Sequence, residues 1–194
     1  IFLMLVSLIR KTKINWNVVK NNWIYLLISG GALGFNWIFL FEAYKYTSVA
    51  IATICYYMAP VFVILISPFI LKEKLTMFKL GCTITAIIGA VLISGVIGSS
   101  GQDLRGIGFG LIAALLYAGI IIVNKFIKGL SGVETTFCQL AISAIIMIPY
   151  VIFTEDIGFD YVSATTIILL LIVGVVHTGI VYILFFSAIN KLPA

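Results

Sequence analysis

The sequence consists mainly of long apolar stretches separated by short polar ones. Six stretches have at least the ~20 residues that an α-helix needs to cross the hydrocarbon core of a bilayer. They run over Trp23–Tyr44, Val49–Leu71, Phe78–Gly98, Gly106–Lys125, Val133–Phe153 and Thr165–Ile189. A shorter apolar run, Ile1–Ile9, precedes them and is followed by Arg10 and Lys11. We therefore expect six complete spans, and we interpret the first run as the end of an earlier span.

The spans are predicted to be helices. Their apolar residues are continuous, as in Ile145–Ile148 and Ile167–Val173, whereas the strands of a membrane β-barrel alternate apolar and polar residues. Composition agrees, because 62% of the residues are hydrophobic and only 10% are charged, against ~25% charged residues in a soluble domain. The predicted fold class is all-α, a polytopic transmembrane helix bundle.

The basic residues indicate the orientation of the spans. If Ile1–Ile9 ends span 2, the complete spans are spans 3 to 8. The loops after spans 2, 4, 6 and 8 contain ten Lys and Arg residues, and the loops on the other side contain two, Lys45 and Arg105. Because cytoplasmic loops carry an excess of basic residues, we expect the first set to be cytoplasmic. This topology accounts for the net charge of +5, so nucleic acid is not an expected partner.

A faint internal repeat is present at an offset of 145 residues. The matching pairs are Gly34 with Gly179, Trp37 with Tyr182, Phe41 with Phe186, and Ala43 with Ala188. Span 3 thus corresponds to span 8, so the repeat unit has five helices and the two halves have inverted topology. We predict a first repeat over residues 1–98, without its first helix and most of its second. The second repeat covers residues 99–194 without its last two helices. We expect ten helices in the full protein.

A set of short motifs follows the end of span 3. Ala43 ends an apolar helix, Tyr46-Thr47-Ser48 forms a tight turn, Pro60 lies in the middle of span 4, and Glu73 lies at its cytoplasmic end. In order and spacing, these residues resemble the EamA family of the drug/metabolite transporter superfamily. The resemblance implies a ten-helix carrier that exports or exchanges small metabolites, amino acids or drugs through a central cavity without ATP. It also implies an integral membrane protein, which we expect in the bacterial cell membrane.

Polar and aromatic residues within the spans are the candidates for substrate binding. Pro60 interrupts the backbone hydrogen bonds of span 4 and frees a carbonyl, and neighbouring tyrosines supply aromatic faces and hydroxyls. The full set of candidates is Asn36, Trp37, Tyr56, Tyr57, Pro60, Tyr117, His177 and Tyr182. The alternative is structural: a packing kink at the proline and hydrogen bonds between helices for the polar groups.

Glu42 is the candidate for coupling transport to a proton or another ion. It is a carboxylate within a span, where charged groups are costly and often functional. The alternative is an ion pair with Lys45, which is three residues later and therefore on the same helix face. His177 is the only histidine and can titrate in the physiological range, so a proton relay and a packing role are both open.

Other functional classes are less consistent with the sequence. The three cysteines are far apart and all lie in apolar segments, which indicates neither a disulfide framework nor a metal site. No cofactor is expected. Enzymatic activity is not expected either, because acidic, histidine and cysteine residues do not cluster at one membrane face. Stripes of small residues, such as Gly106 to Ala118, allow a non-transporting scaffold or a homodimer. The expected partners are a small-molecule substrate and the lipid bilayer.

Overall fold

The computed structural model describes residues 16–94, 104–154, 163–181 and 184. These residues form helices and no strands, which confirms the all-α prediction. The helices are α1 (Trp16–Asn21), α2 (Trp23–Tyr46), α3 (Val49–Tyr56), α4 (Ala59–Ile70), α5 (Met77–Ser94), α6 (Leu104–Asn124), α7 (Gly132–Thr154) and α8 (Ala164–Ile172). The backbone of α8 continues as a π-helix over Val173–Ile180.

Four of the six predicted spans are long and apolar enough to cross a bilayer within the described residues. They are α2, α3 together with α4, α6 and α7. The other two predicted spans contain shorter apolar helices, Met77–Leu92 and Ala164–Val176, and both adjoin residues outside the described ranges. The polytopic helical fold is therefore confirmed, while the five-helix repeat stays a prediction.

Span 4 is divided into two helices at the predicted proline. Pro60 has no backbone N–H, so it cannot bond the carbonyl of Tyr56, and α3 ends at that residue. The chain tightens there, with the Met58 N–H donating to the Cys55 carbonyl at 3.1 Å, before α4 begins at Ala59. The sequence left a broken helix and a packing kink both open, and the structure has a short turn between two helices.

Side chains at the helix ends fix where two helices begin. The Ser48 hydroxyl accepts a hydrogen bond from the Ile51 N–H at 3.3 Å and starts α3 immediately after the predicted turn. Before α7, the Ser131 hydroxyl accepts from the Glu134 N–H at 3.3 Å, and the Glu134 carboxylate accepts from the Ser131 N–H at 2.8 Å. This reciprocal arrangement is a capping box.

The short helix α1 lies where the sequence predicted a loop. Its residues Val18 and Val19 pack against a buried cluster of Leu26, Ile127 and Leu130. Asn22, the residue between α1 and α2, is 6% exposed. Tertiary packing therefore stabilises a helix too short to be recognised from an apolar stretch.

Contacts group the described residues into two units. The first contains residues 16–31, 124–154, 163–181 and 184, and the second contains residues 32–94 and 104–123. In the first unit, α2 and α7 come close at Gly30, where a Cβ atom would lie 2.9 Å from the Cβ of Ile142. A larger residue at position 30 would push these helices apart.

In the second unit, a stripe of small residues on α6 allows close packing, as predicted. Gly110 faces α3, and a Cβ atom there would lie 2.9 Å from the Cys55 Cβ and 3.2 Å from the Ala52 carbonyl oxygen. Ala114 and Ala118, further along the stripe, are fully buried. A second sequence stripe of small residues, Gly81, Thr85 and Gly89 on α5, differs, because a Cβ atom at Gly81 would meet nothing within 4 Å among the described residues.

Candidate functional site

Three of the predicted tyrosines lie together in the second unit, at the break between α3 and α4. The Tyr56 ring is tilted against the Tyr117 ring of α6, with 5.5 Å between their centroids, and against the Tyr57 ring at 6.4 Å. Tyr57 is 67% exposed, and Pro60 beside it is also exposed. The broken helix therefore presents aromatic faces next to a proline that cannot donate a backbone hydrogen bond.

Asn36 lies on α2 and reaches across to α6. Its side-chain nitrogen Nδ2 donates a hydrogen bond to the Ala113 carbonyl oxygen at 2.6 Å, one helical turn before Tyr117. The side chain is fully buried, and its carbonyl oxygen Oδ1 has no hydrogen-bond partner among the described residues. An unpaired buried acceptor is costly, so this oxygen is suited to a donor group on a bound molecule.

Trp37 and Glu42 lie further along α2. The Trp37 ring is half-buried and packs edge-on against Phe41, with 5.7 Å between centroids. The Glu42 carboxylate accepts a hydrogen bond from the Lys45 ammonium group at 3.0 Å, and the two side chains are 23% and 44% exposed. The structure thus contains the ion pair that the spacing suggested, at the end of α2.

The two remaining candidates lie in the second half of the chain. His177 is part of the π-helix that continues α8, in the first unit. A π-helix is rare and occurs often at functional sites. Tyr182 lies outside the described residues.

An apolar cavity of about 290 Å³ is also present in the second unit. Cys55, Met58 and Phe62 line it from α3, α4 and the turn between them, and Val91 and Leu111 line it from α5 and α6. None of the predicted substrate residues is among the described residues that line this cavity. The tyrosines lie on a different face of the broken helix, so cavity and predicted site are separate features.

Comparison with known proteins identifies the family. The sequence model of the EamA-like transporter family matches the chain over residues 1–95 and 104–194. The chain belongs to the EamA family. The family consists of polytopic helical membrane proteins, so the EamA chain is an integral membrane protein, as predicted.

Two curated bacterial proteins are similar to this EamA chain. One, from Bacillus subtilis, is named uncharacterized transporter YxxF and is 39% identical over 89% of this chain and 56% of its own length. The other, an uncharacterized transporter from Clostridium kluyveri, is 28% identical over 78% of this chain and 51% of its own length. The chain therefore spans about half the length of these relatives. No solved structure matches it significantly.

A buried polar cluster in the first unit of the EamA chain was not predicted. Ser29 of α2, Asn124 of α6 and Gln139 of α7 meet through hydrogen bonds, although Ser29 and Gln139 are 110 residues apart. Asn124 and Gln139 lie near the ends of the predicted spans Gly106–Lys125 and Val133–Phe153. Only their mutual contact, which no local pattern encodes, distinguishes them from isolated polar residues.

Proposed function

We propose that this chain is part of a secondary transporter of the bacterial cell membrane. It exports or exchanges a small metabolite, amino acid or drug-like molecule by alternating access, without ATP. Membership of the EamA family and the names of both relatives support transport. The finer proposal, a substrate site at the broken helix, rests on the geometry of the second unit.

The observation that carries the site is the orientation of Asn36 beside the tyrosine pair. Its buried Oδ1 lacks a partner among the described residues, while its Nδ2 is fixed on α6 one turn from Tyr117. Tyr117 in turn contacts Tyr56 at the break in span 4. Broken helices near the membrane midplane form substrate sites in many secondary transporters, because their unpaired backbone groups face a cavity.

The composition of this site favours a neutral, zwitterionic or amphipathic substrate. Its proposed members, Asn36, Trp37, Tyr56, Tyr57 and Tyr117, are aromatic or polar but uncharged. Aromatic faces bury apolar surface, and a few polar groups orient the ligand. We include Pro60 in this site, and His177 and Tyr182 stay substrate-binding candidates from the sequence alone.

The test is substrate flux through the full-length protein reconstituted in proteoliposomes, screened against a broad metabolite panel. We expect flux of at least one compound, and at least a ten-fold loss of its transport in the Tyr117→Leu variant. Phe109→Leu is the matched control, because Phe109 is also an aromatic residue of α6 but packs against Phe39 and Tyr46. No flux of any compound would favour the scaffold, and equal losses in both variants would place the substrate elsewhere.

We propose Glu42 as the coupling group, with the Lys45 ion pair holding it in the resting state. In the Glu42→Gln variant, an imposed proton gradient should no longer drive uptake, while substrate exchange without a gradient continues. The control is Lys45→Met, which removes the partner but keeps the carboxylate and should retain gradient-driven uptake. If Glu42→Gln responds to the gradient like the unchanged protein, the ion pair is only structural.

We also propose that the loop between α4 and α5 is cytoplasmic, as the basic residues indicate, and that the chain contains two inverted repeats. The match of the family model over two stretches supports the repeat. A Lys74→Cys variant without other cysteines should react with a membrane-impermeant maleimide only from the cytoplasmic side. A Lys45→Cys variant, at the other end of span 4, should react only from outside, and the reverse result would invert the topology.

A further inference from the structure

The polar cluster in the first unit uses all of the donors of one amide group. The Gln139 nitrogen Nε2 donates to the Ser29 hydroxyl oxygen and to the Asn124 oxygen Oδ1, both at 2.6 Å. The Ser29 hydroxyl donates in turn to the Tyr25 carbonyl oxygen at 2.7 Å. These bonds connect α2, α6 and α7 through side chains that are 0–1% exposed.

Three polar groups beside these bonds have no hydrogen-bond partner among the described residues. They are the Gln139 oxygen Oε1, the Asn124 nitrogen Nδ2 and the Thr135 hydroxyl. Thr135 is 1% exposed and precedes Gln139 by one helical turn, so both side chains lie on one face of α7. Because these groups are enclosed by the protein, a partner that pairs them must be small.

The unpaired groups define the chemistry of that molecule. They comprise one amide donor, one amide acceptor and one hydroxyl group, which can donate or accept a hydrogen bond. If both amides are rotated by 180°, the Asn124 nitrogen donates to the Gln139 oxygen, and one donor and one acceptor are again unpaired. A metal cation would be repelled by the amide donor, and an anion by the amide acceptor. Water both donates and accepts, so it matches the set in either orientation.

We propose that Gln139, Asn124 and Thr135 form a binding site for one buried water molecule, which completes a hydrogen-bonded junction between α6 and α7. Buried waters typically make about three hydrogen bonds to otherwise unpaired groups, as this site allows. The site lies in the first unit and shares no residue with the proposed substrate site, so it does not depend on that proposal.

The sign of one stability change tests the proposal. If water bonds the Thr135 hydroxyl, Thr135→Val removes a partner of the water and should lower the Tm of the full-length protein in nanodiscs by about 2 °C or more. If the hydroxyl is unpaired, the same substitution removes a buried polar group without a partner and should raise the Tm. Thr135→Ser retains the hydroxyl and should stay above Thr135→Val.

Thr136→Val is the matched control. Thr136 is also fully buried, but its hydroxyl donates to the Gly132 carbonyl oxygen at 2.7 Å. This variant measures the loss of a satisfied threonine hydroxyl and should lower the Tm whether or not the neighbouring site holds water. An increase in Tm for Thr135→Val beside a decrease for Thr136→Val would overturn the proposal.

Two further measurements identify the occupant. A structure at a resolution that shows ordered waters should have density bonded to Gln139 and Asn124, and this density should be absent in Thr135→Val. Replacing sodium chloride with choline chloride at equal ionic strength should leave the Tm unchanged. A sodium-dependent Tm that disappears in Thr135→Val would overturn the proposal in favour of a cation, and an empty density would overturn it directly.

Discussion

The approach of α6 to α3 makes one glycine sensitive to the smallest possible substitution. In Gly110→Ala, the new Cβ would lie 2.9 Å from the Cys55 Cβ and 3.2 Å from the Ala52 carbonyl oxygen. Both neighbours are close to or part of the backbone of α3, so neither can rotate away. One helix must move, and overpacking of this kind costs about 1–3 kcal/mol.

Gly108→Ala is the matched control in the same helix, because a Cβ atom there meets nothing within 4 Å among the described residues. Each substitution gains about 1 kcal/mol of helix propensity, since alanine is a better helix former than glycine. That gain cancels in the comparison. We therefore expect Gly108→Ala to be at least as stable as the unchanged protein, and Gly110→Ala to be about 1–3 kcal/mol less stable than Gly108→Ala.

Cys55 reports on this contact directly, because it is 6% exposed and lies against Gly110. With the other two cysteines replaced, thermal unfolding is followed by the reaction of Cys55 with a fluorogenic maleimide. Gly110→Ala should lower the midpoint and increase the labelling of Cys55 below it, whereas Gly108→Ala should do neither. Equal midpoints and equal labelling in the two variants would refute the close approach of α6 and α3.

Three further predictions concern the ends of helices. Ser131→Ala removes the capping box of α7 and should cost about 1 kcal/mol in thermal unfolding; an unchanged midpoint would mean that water replaces the cap. Asn22→Leu removes two hydrogen bonds to the backbone of Lys128, at 2.9 and 3.1 Å, so amide exchange at Lys128 should accelerate, and unchanged exchange would contradict the contact. Lys45→Ala breaks an exposed ion pair and should change the stability measured by thermal unfolding by less than about 1 kcal/mol. A larger loss would indicate that the Glu42 carboxylate is more buried than its 23% exposure implies.

The main features of the fold were predictable because the physical signal is local. A span needs a continuous apolar run, and a proline in the interior of a span removes one helical hydrogen bond. The sequence therefore predicted α2, α6 and α7 to within two residues at every end, and it predicted a disturbance at Pro60. It did not predict the short helix α1, whose residues become helical through contacts with Ile127 and Leu130 far along the chain.

The candidate site was predictable only in part, for a related reason. Residue type marked Tyr56 and Tyr117 as aromatic groups within spans, and the structure brings them together. Gln139 is a polar residue within a span, but its environment depends on Ser29, and no periodicity links positions 110 residues apart. Contacts between helices that are far apart in sequence thus cannot be predicted from composition and spacing.

The distribution of the two units along the chain imposes an order on synthesis. The described residues of the second unit, 32–94 and 104–123, precede α7 in the chain, so they are synthesised before it. The partners of Asn22 and Ser29 are made 106 and 110 residues later. Until α7 is synthesised, Ser29 of α2 therefore lacks its hydrogen bond from Gln139. During that interval Leu26 and Ser29 of α2 lack the residues that later cover them, Ile127, Leu130 and Gln139.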